Sequence, residues 1–309
     1  MDNVSKIKQI EEEVVRWYNK LGRDLPWRNT NDPYSVLVSE VMLQQTQVDR
    51  VIPKFLEFLS VFPNLETLSR ATIADVIKCW EGLGYNRRAV RLKRISEILV
   101  KGNYGEIPNE PDELKRLPGI GTYSANAIAC FAYNKSVPLA DTNIYRVLSR
   151  IVFGVTPPTR SEIDTLLNQA LPFKSPSDFF QGLMDLAAAY CRVNSPKCSE
   201  CFLLNTCGAG VEFLKETKLN PKNSVPYYPR QKKFKGSRRY YRGLIVKLLR
   251  KLGNDEQIGI IDLGEIMELE TSDNSQQEWL LSILEELRNE GLIDISQGVH
   301  SIRVSLPSI

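Results

Sequence analysis

Apolar residues recur at three- and four-residue intervals through most of the first 210 positions, and polar turns separate the runs. Residues 6–20 place Ile7, Ile10, Val14, Trp17 and Tyr18 at helical spacing, and Gly22 ends the pattern. Residues 33–47 depart from it. Asp32 is suited to an N-cap, and Pro33 stands where a first-turn proline is tolerated. An almost fully apolar run follows, Val36-Leu37-Val38 and Val41-Met42-Leu43, broken by Ser39 and Glu40 and succeeded by the uncharged polar run Gln44-Gln45-Thr46-Gln47. The next helical pattern carries Val48, Val51, Ile52, Phe55, Phe58 and Leu59, with a bend expected at Pro53. Helical segments at 73–81 and 86–100 flank a tight turn, Gly82-Leu83-Gly84-Tyr85. Residues 111–133 read as helix, hairpin (Leu117-Pro118-Gly119-Ile120-Gly121) and helix; further helical runs cover 142–152, 160–172 and 177–192. No alternating strand pattern precedes about residue 240, so the first 210 residues are expected to be all-α.

The remainder changes character. Residues 208–236 are loop-like, with prolines at 221, 226 and 229, and 216–240 reads as a linker. Helices fit 241–251, 262–269 and 275–290; then 292–296 and 299–306 alternate as a hairpin around Gln297-Gly298. Three short helices and a hairpin predict a small winged-helix-like α+β unit at 241–309.

A length of 309 residues suggests about two domains, and 42% hydrophobic and 25% charged residues are ordinary for a soluble globular protein. No run approaches the roughly 18–20 apolar residues of a membrane span, and the charged N-terminus lacks the plan of a signal peptide. A cytoplasmic protein without membrane contact is expected. The net charge of +3 does not announce a polyanionic partner, but 227–242 does so locally. There Lys232, Lys233, Lys235, Arg238, Arg239 and Arg242 alternate with Phe234, Tyr240 and Tyr241, a pattern suited to phosphate contacts. The single histidine, His300, argues against mechanisms built on a histidine base and a histidine-rich metal site.

Four of the six cysteines crowd together as Cys191-x6-Cys198-x2-Cys201-x5-Cys207. In a reducing compartment this spacing suits a metal site, either tetrahedral zinc or a [4Fe–4S] cluster; a single C-x2-C knuckle, where zinc sites usually have two, favours the cluster. The hairpin at Gly119 and Gly121, ahead of a helix N-terminus near Thr122, allows backbone N–H groups to approach a phosphate. Asp141, with Asn143 two residues on, stands at an N-cap position, where a carboxylate stays ionised beside a cation. Glu40, by itself, fits either a solvent-facing stripe or a desolvated general acid.

Together, the cysteine loop, the LPGIG hairpin and the downstream aspartate resemble the helix-hairpin-helix DNA glycosylase superfamily that includes endonuclease III. Within it, SEVMLQQTQV, LPWR followed by DPY, GLGY and GIGTYSA resemble the MutY-type adenine glycosylases, over about residues 10–210. The resemblance implies a six-helix barrel domain at 24–137, an iron–sulfur domain from 1–23 and 138–215, and a [4Fe–4S] cluster on the four cysteines. It implies that Glu40 protonates adenine at N7, that Asp141 stabilises the oxocarbenium-like sugar, and that Asn143 supports it. Tyr123 stands where endonuclease III has its Schiff-base lysine, so strand-cleaving lyase activity should be weak or absent. Gln45 and Tyr85 match residues that wedge into the base stack, Thr46 and Leu83 positions around the opposing base, and Trp27, Arg28, Gln181 and Asp185 the lining of the adenine pocket. For these last, core packing of Trp27 and a solvated helix face for Gln181 and Asp185 are the plainer readings. The implied activity is monofunctional base excision repair: removal of adenine opposite 8-oxoguanine or guanine from double-stranded DNA, by a monomer with no small-molecule cofactor. A thymine or uracil mismatch glycosylase of the same fold is the nearest alternative, but those relatives lack the acid at the Glu40 position. A non-catalytic iron–sulfur DNA-binding protein is a third. Many MutY-type proteins end in a MutT-like domain; the last 70 residues here are too short and too helical for one.

Overall fold

The structure is a computed structural model that describes residues 2–102, 105–215, 220–224, 233–253, 256–269, 274–297 and 302–307. Lys232, Gly298 and His300 lie outside the described residues, as does much of the 216–240 linker. In chain order the helices are α1 (Asn3–Leu21), α2 (Pro33–Leu43), α3 (Val48–Val61), α4 (Leu65–Arg70), α5 (Ile73–Cys79), α6 (Arg87–Lys101), α7 (Pro111–Leu114) and α8 (Thr122–Tyr133). Then follow α9 (Thr142–Leu148), α10 (Arg160–Gln169), α11 (Pro176–Ala189), α12 (Gly210–Lys215), α13 (Arg238–Leu249), α14 (Ile260–Ile266) and α15 (Asn274–Asn289). No helix among the described residues is long and apolar enough to cross a membrane.

The chain divides into two compact units. The first comprises Met1–Val36, Asn109–Arg116 and Ile120–Pro229; the second Leu37–Pro108, Leu117–Gly119 and Arg230–Ile309. In the first, Ile7, Ile10 and Val14 of α1 share a core with Ile144, Val147 and Leu148 of α9 and Phe179, Phe180 and Leu183 of α11. The buried carboxylate of Glu11 accepts from the backbone N–H groups of Lys174 and Ser175 at 2.5 and 3.2 Å. It thereby ties α1 to the start of α11. The expected helix over 142–152 is instead α9 followed by a π-helical turn, Ser149–Phe153, that ends at Gly154 with φ +81°. Such insertions often mark sites where a helix yields to a local requirement.

α2 starts in the first unit, under a cap, and runs on into the second. Asp32 accepts from the Ser35 amide at 2.9 Å and the Ser35 hydroxyl at 2.6 Å. Every residue from 34 through 42 is buried, so α2 has no solvent-facing stripe, and Glu40 is only 8% exposed.

The C-terminal residues run α13, β1 (Ile258–Gly259), α14, α15, β2 (Asp294–Gln297) and β3 (Ile302–Ser305). The sheet is antiparallel in the order β1-β3-β2, with Ile258 and Ile295 both in register with Val304. This is the winged-helix order the sequence pattern predicts, with β1 added; two residues are too few to show alternation. Ile245, Val246 and Leu249 of α13 share one apolar core with Leu280, Ile283 and Leu284 of α15 and with Ala74, Ile77 and Val90 of α5 and α6.

Candidate functional site

In the second unit, the two expected wedge residues are the product of a backbone trap. Gln45 and Tyr85 are both non-glycine residues with positive φ, +60° and +46°. Left-handed geometry costs an L residue roughly 1–2 kcal/mol, so something must hold it. That residue is Arg88, which sequence reasoning passed over. Its buried guanidinium donates to the carbonyls of Val41, Met42 and Gln44 at 2.7–2.9 Å, which ends α2 and fixes the approach to Gln45. It also donates to the carbonyls of Leu83 and Gly84 at 3.2 and 3.0 Å, and to Thr46 Oγ1 at 2.9 Å. One cation therefore pins the Gln44–Gln47 run and the Gly82–Tyr85 turn at once. It also lies 5.4 Å from the Trp80 ring centroid and 5.6 Å from that of Tyr85. Burial pulls the Arg88 pKa down to about 10. The signal in the sequence was an arginine at the start of an amphipathic helix, where the apolar period marks a core position.

Outside this clamp the tips are open: Gln45 is exposed and Tyr85 is 44% exposed. Leu83 is buried and serves through its carbonyl, which also accepts from Thr46 Oγ1 at 3.3 Å. These residues line a cleft of about 750 Å³ together with Arg50, Arg87, Arg91, Phe234, Arg239 and Arg242. Phe234 is 59% exposed. The expectation that the whole basic run faces a polyanion needs correction. Arg242 donates to Glu286 at 2.8 Å and Glu290 at 2.6 Å, and Arg238 pairs with Glu286 at 2.8 Å. These two arginines tie α13 to α15, because opposite charges one helix apart satisfy each other before a distant ligand does.

Gly119 and Gly121 behave differently. Gly119 has φ +84°, and a Cβ there would meet Arg91 Cδ at 2.6 Å. At Gly121, the N-cap of α8, a Cβ would have nothing within 4 Å. The first position requires glycine for conformation and space; the second leaves room for a ligand to approach the backbone.

In the first unit, Asp141 caps α9, accepting from the amides of Asn143 at 2.9 Å and Ile144 at 2.7 Å. The Asn143 side-chain amide donates to the other carboxylate oxygen at 2.8 Å, so the carboxylate is fixed in place. Tyr123 is half-buried in the first turn of α8. Trp27 is buried in the 3-10 turn Pro26–Arg28. Gln181 and Asp185 lie on α11 and are buried, not solvated. Arg28 donates to both Asp185 oxygens, at 2.7 and 3.0 Å, and Arg23 adds bonds from its side chain at 2.6 Å and its backbone at 2.8 Å. Burial pushes the Asp185 carboxyl up, but these bonds and charges outweigh it and hold it below the ordinary carboxylate value. Gln181 accepts from the Tyr18 hydroxyl at 2.7 Å and donates to Ser177 Oγ at 3.0 Å.

Cys191, Cys198, Cys201 and Cys207 line one cavity, with Arg150, Tyr190 and Leu203 among its walls. All four are free thiols. Burial pushes the Cys198 and Cys207 thiols up and Cys201 up to about 11. Arg150 Nη1 donates to Cys191 Sγ at 3.5 Å. Among the described residues no three cysteines, histidines or carboxylates converge as the ligands of a single ion. Four thiols lining one cavity are the donor type that holds zinc or an iron–sulfur cluster.

Residues 38–173 match the model of the HhH-GPD superfamily of base excision DNA repair proteins. An adenine DNA glycosylase from Mycolicibacterium smegmatis is 36% identical over 241 residues, covering 77% of this chain and 79% of that protein. The chain belongs to the HhH-GPD superfamily, and within it to the MutY-type glycosylases. The superfamily match spans Glu40, Gln45, Tyr85, Tyr123 and Asp141 and stops before the cysteines. A thymine/uracil-DNA glycosylase from Pyrobaculum aerophilum is 36% identical over 207 residues, covering 64% of this chain and 89% of that one. The structure of a thermostable thymine-DNA glycosylase superposes with a TM-score of 0.62 at 28% identity, over 67% of this chain and 98% of that one. MutY-type and thymine-type members thus share this fold.

Proposed function

We propose that the protein removes adenine mispaired with 8-oxoguanine or guanine in duplex DNA, by acid-assisted hydrolysis of the N-glycosidic bond. The observation that carries this reading is Glu40: a carboxylate on a helix with no solvent face, five residues before a strained, exposed glutamine. A buried carboxyl is the form suited to donate a proton to a leaving base near neutral pH. Glu40 protonates adenine at N7. Asp141, held by two amides and Asn143, supplies the fixed negative charge beside the sugar cation. The division of labour is that of glycoside hydrolysis, one acid on the leaving group and one carboxylate by the sugar. Chemistry on a paired base requires its extrusion. Gln45 and Tyr85 fill the space it leaves, and Thr46 and Leu83 flank the opposing base. Trp27, Arg28, Gln181 and Asp185 line the pocket that receives adenine. The open backbone at Gly121 and the cleft arginines Arg50, Arg91 and Arg239 hold phosphates. Tyr123 forms no imine with the sugar, so the strand stays intact after excision. Cys191, Cys198, Cys201 and Cys207 hold a [4Fe–4S] cluster, which when bound cross-links the loop that carries them.

Excision assays on duplexes carrying A:8-oxoG, A:G, T:G and U:G, followed by alkali, test this. Adenine release with breaks only after alkali is expected. Activity on T:G with neither adenine pair cleaved would establish the second reading, a thymine or uracil mismatch glycosylase, which the likeness to the Pyrobaculum protein favours.

A further inference from the structure

The C-terminal unit holds the two segments that flank the wedge turn, chiefly through one arginine. Arg250 closes α13, and its Nε donates to the carbonyl of Ile77 at 2.9 Å while Nη2 donates to Asn86 Oδ1 at 2.8 Å. These acceptors stand at the two ends of the segment that carries the turn. Ile77 is in the last turn of α5, where carbonyls lack intrahelical partners and a cation is favoured. Asn86 is the residue before α6, directly after Tyr85. Asparagine is among the best N-cap residues, yet the Asn86 side chain makes no cap bond to α6; its oxygen is turned to Arg250. Arg250 therefore closes the base of the 78–85 loop as a staple would. Two further features place the C-terminal unit on the same segment. Ala74, Ile77 and Val90 lie in the C-terminal unit's apolar core, and Glu290 is 3.7 Å from Arg87.

We infer that the C-terminal unit is a brace for base extrusion, with Arg250 as the positioning residue that keeps Tyr85 in its left-handed, outward-facing conformation. Arg88 fixes the turn from inside the barrel helices, and Arg250 fixes the same turn from the appended unit. The unit then contributes to separating the base pair without touching the reacting atoms. This inference rests on the excision reading for its kinetic part, but its structural part does not.

The test uses the full chain with Arg250→Ala, Arg250→Lys and Asn86→Ala. Amide hydrogen exchange over 82–89 should rise about tenfold in both alanine variants, on the scale of one or two lost hydrogen bonds, while exchange within 120–189 stays as in the wild type. Single-turnover adenine excision from a stacked mispair should fall about tenfold; from a duplex with adenine opposite an abasic analogue, where extrusion costs less, it should fall less than about threefold. Arg250→Lys, which keeps a donor, should recover part of both losses. The double alanine variant should be no worse than Arg250→Ala alone, because Asn86 acts through Arg250. Asn86→Ala removes the contact without altering the C-terminal unit, so it decides the matter if Arg250→Ala fails to fold. Unchanged exchange over 82–89 in Asn86→Ala, or equal losses on the two duplexes, would overturn the brace. If the wild type excises no adenine from any duplex, the excision reading fails and the exchange measurement alone decides the brace.

Discussion

Arg88 and Arg150 are buried to 5% and 1% exposure, and among the described residues neither has a carboxylate as a hydrogen-bond partner. Each is held mainly by backbone carbonyls. Arg88 donates to five carbonyls and one hydroxyl. Arg150 donates to the carbonyls of Arg192, Val193 and Pro221, to Ser224 Oγ and to the Cys191 sulfur, with the Phe213 ring 5.4 Å away. A guanidinium suits this task because its planar fork of donors can tie several chain segments at once. What they tie differs. Arg88 gathers segments whose tips, Gln45 and Tyr85, are strained and exposed, and its Nε is left without a partner. Arg150 gathers the segments that wall the cysteine cavity and leaves no buried nitrogen unpaired. Strain is kept where the protein is proposed to act on DNA; full satisfaction is kept where a cofactor is proposed to sit.

The largest expected effect tests the chemical end of the Arg88 region. Glu40→Gln should lower single-turnover adenine excision by about 10²–10⁴-fold while iron content stays unchanged. A wild-type rate would detach that region from catalysis. The two arginines should then separate cleanly. Arg88→Ala and Arg150→Ala each strand several buried carbonyls and should cost about 3 kcal/mol or more in denaturant unfolding. Arg150→Ala should lower bound iron and acid-labile sulfide, about four of each per chain in the wild type, whereas Arg88→Ala should keep both and lose excision. The opposite assignment would break the comparison. A smaller effect tests the strain itself. Gln45→Gly should raise stability by up to about 1 kcal/mol, since glycine accepts positive φ, and should slow excision. No gain in stability would mean that the left-handed turn costs nothing. The smallest effect concerns Asp185, whose carboxyl is held below its ordinary value by Arg28 and Arg23. Its contribution is fully present above the unfolded value near 3.8 and is lost as pH falls through the lower folded value. The stability gap between wild type and Asp185→Asn, followed by thermal unfolding, should be constant above about pH 5 and shrink below pH 4.

Most helical runs, the capped start of α2 at Asp32, the N-cap role of Asp141 and the helices and hairpin strands of the C-terminal unit were legible in the sequence; the short α4 and the π-helical turn after α9 were not. The legible ones depend on periodicity and on short-range hydrogen bonds, both of which are written in neighbouring residues. The family motifs marked Glu40, Gln45, Tyr85 and the four cysteines for the same reason. Other features were not legible. Whether Glu40 faced solvent was open until tertiary packing buried every residue from 34 through 42. Gln181 and Asp185 read more plainly as a solvated face; α1 and the Pro26–Arg28 turn cover them and bring Arg28 and Arg23 onto Asp185. Arg238 and Arg242 read as phosphate ligands until α15 supplied Glu286 and Glu290. Arg88, Arg150 and Arg250 carried no signal beyond a cation in a helical pattern.

The sequence by itself determined the elements, their caps, the chemical types at the site and the family. Tertiary structure alone decided which charges are spent inside the protein and which are left to meet a ligand. The reason is physical. An arginine's long, flexible side chain reaches partners dozens or more than a hundred residues away, Asn86 for Arg250 and Ser224 for Arg150. A buried charge must find such partners or not be buried at all, and where they lie is a property of the folded chain.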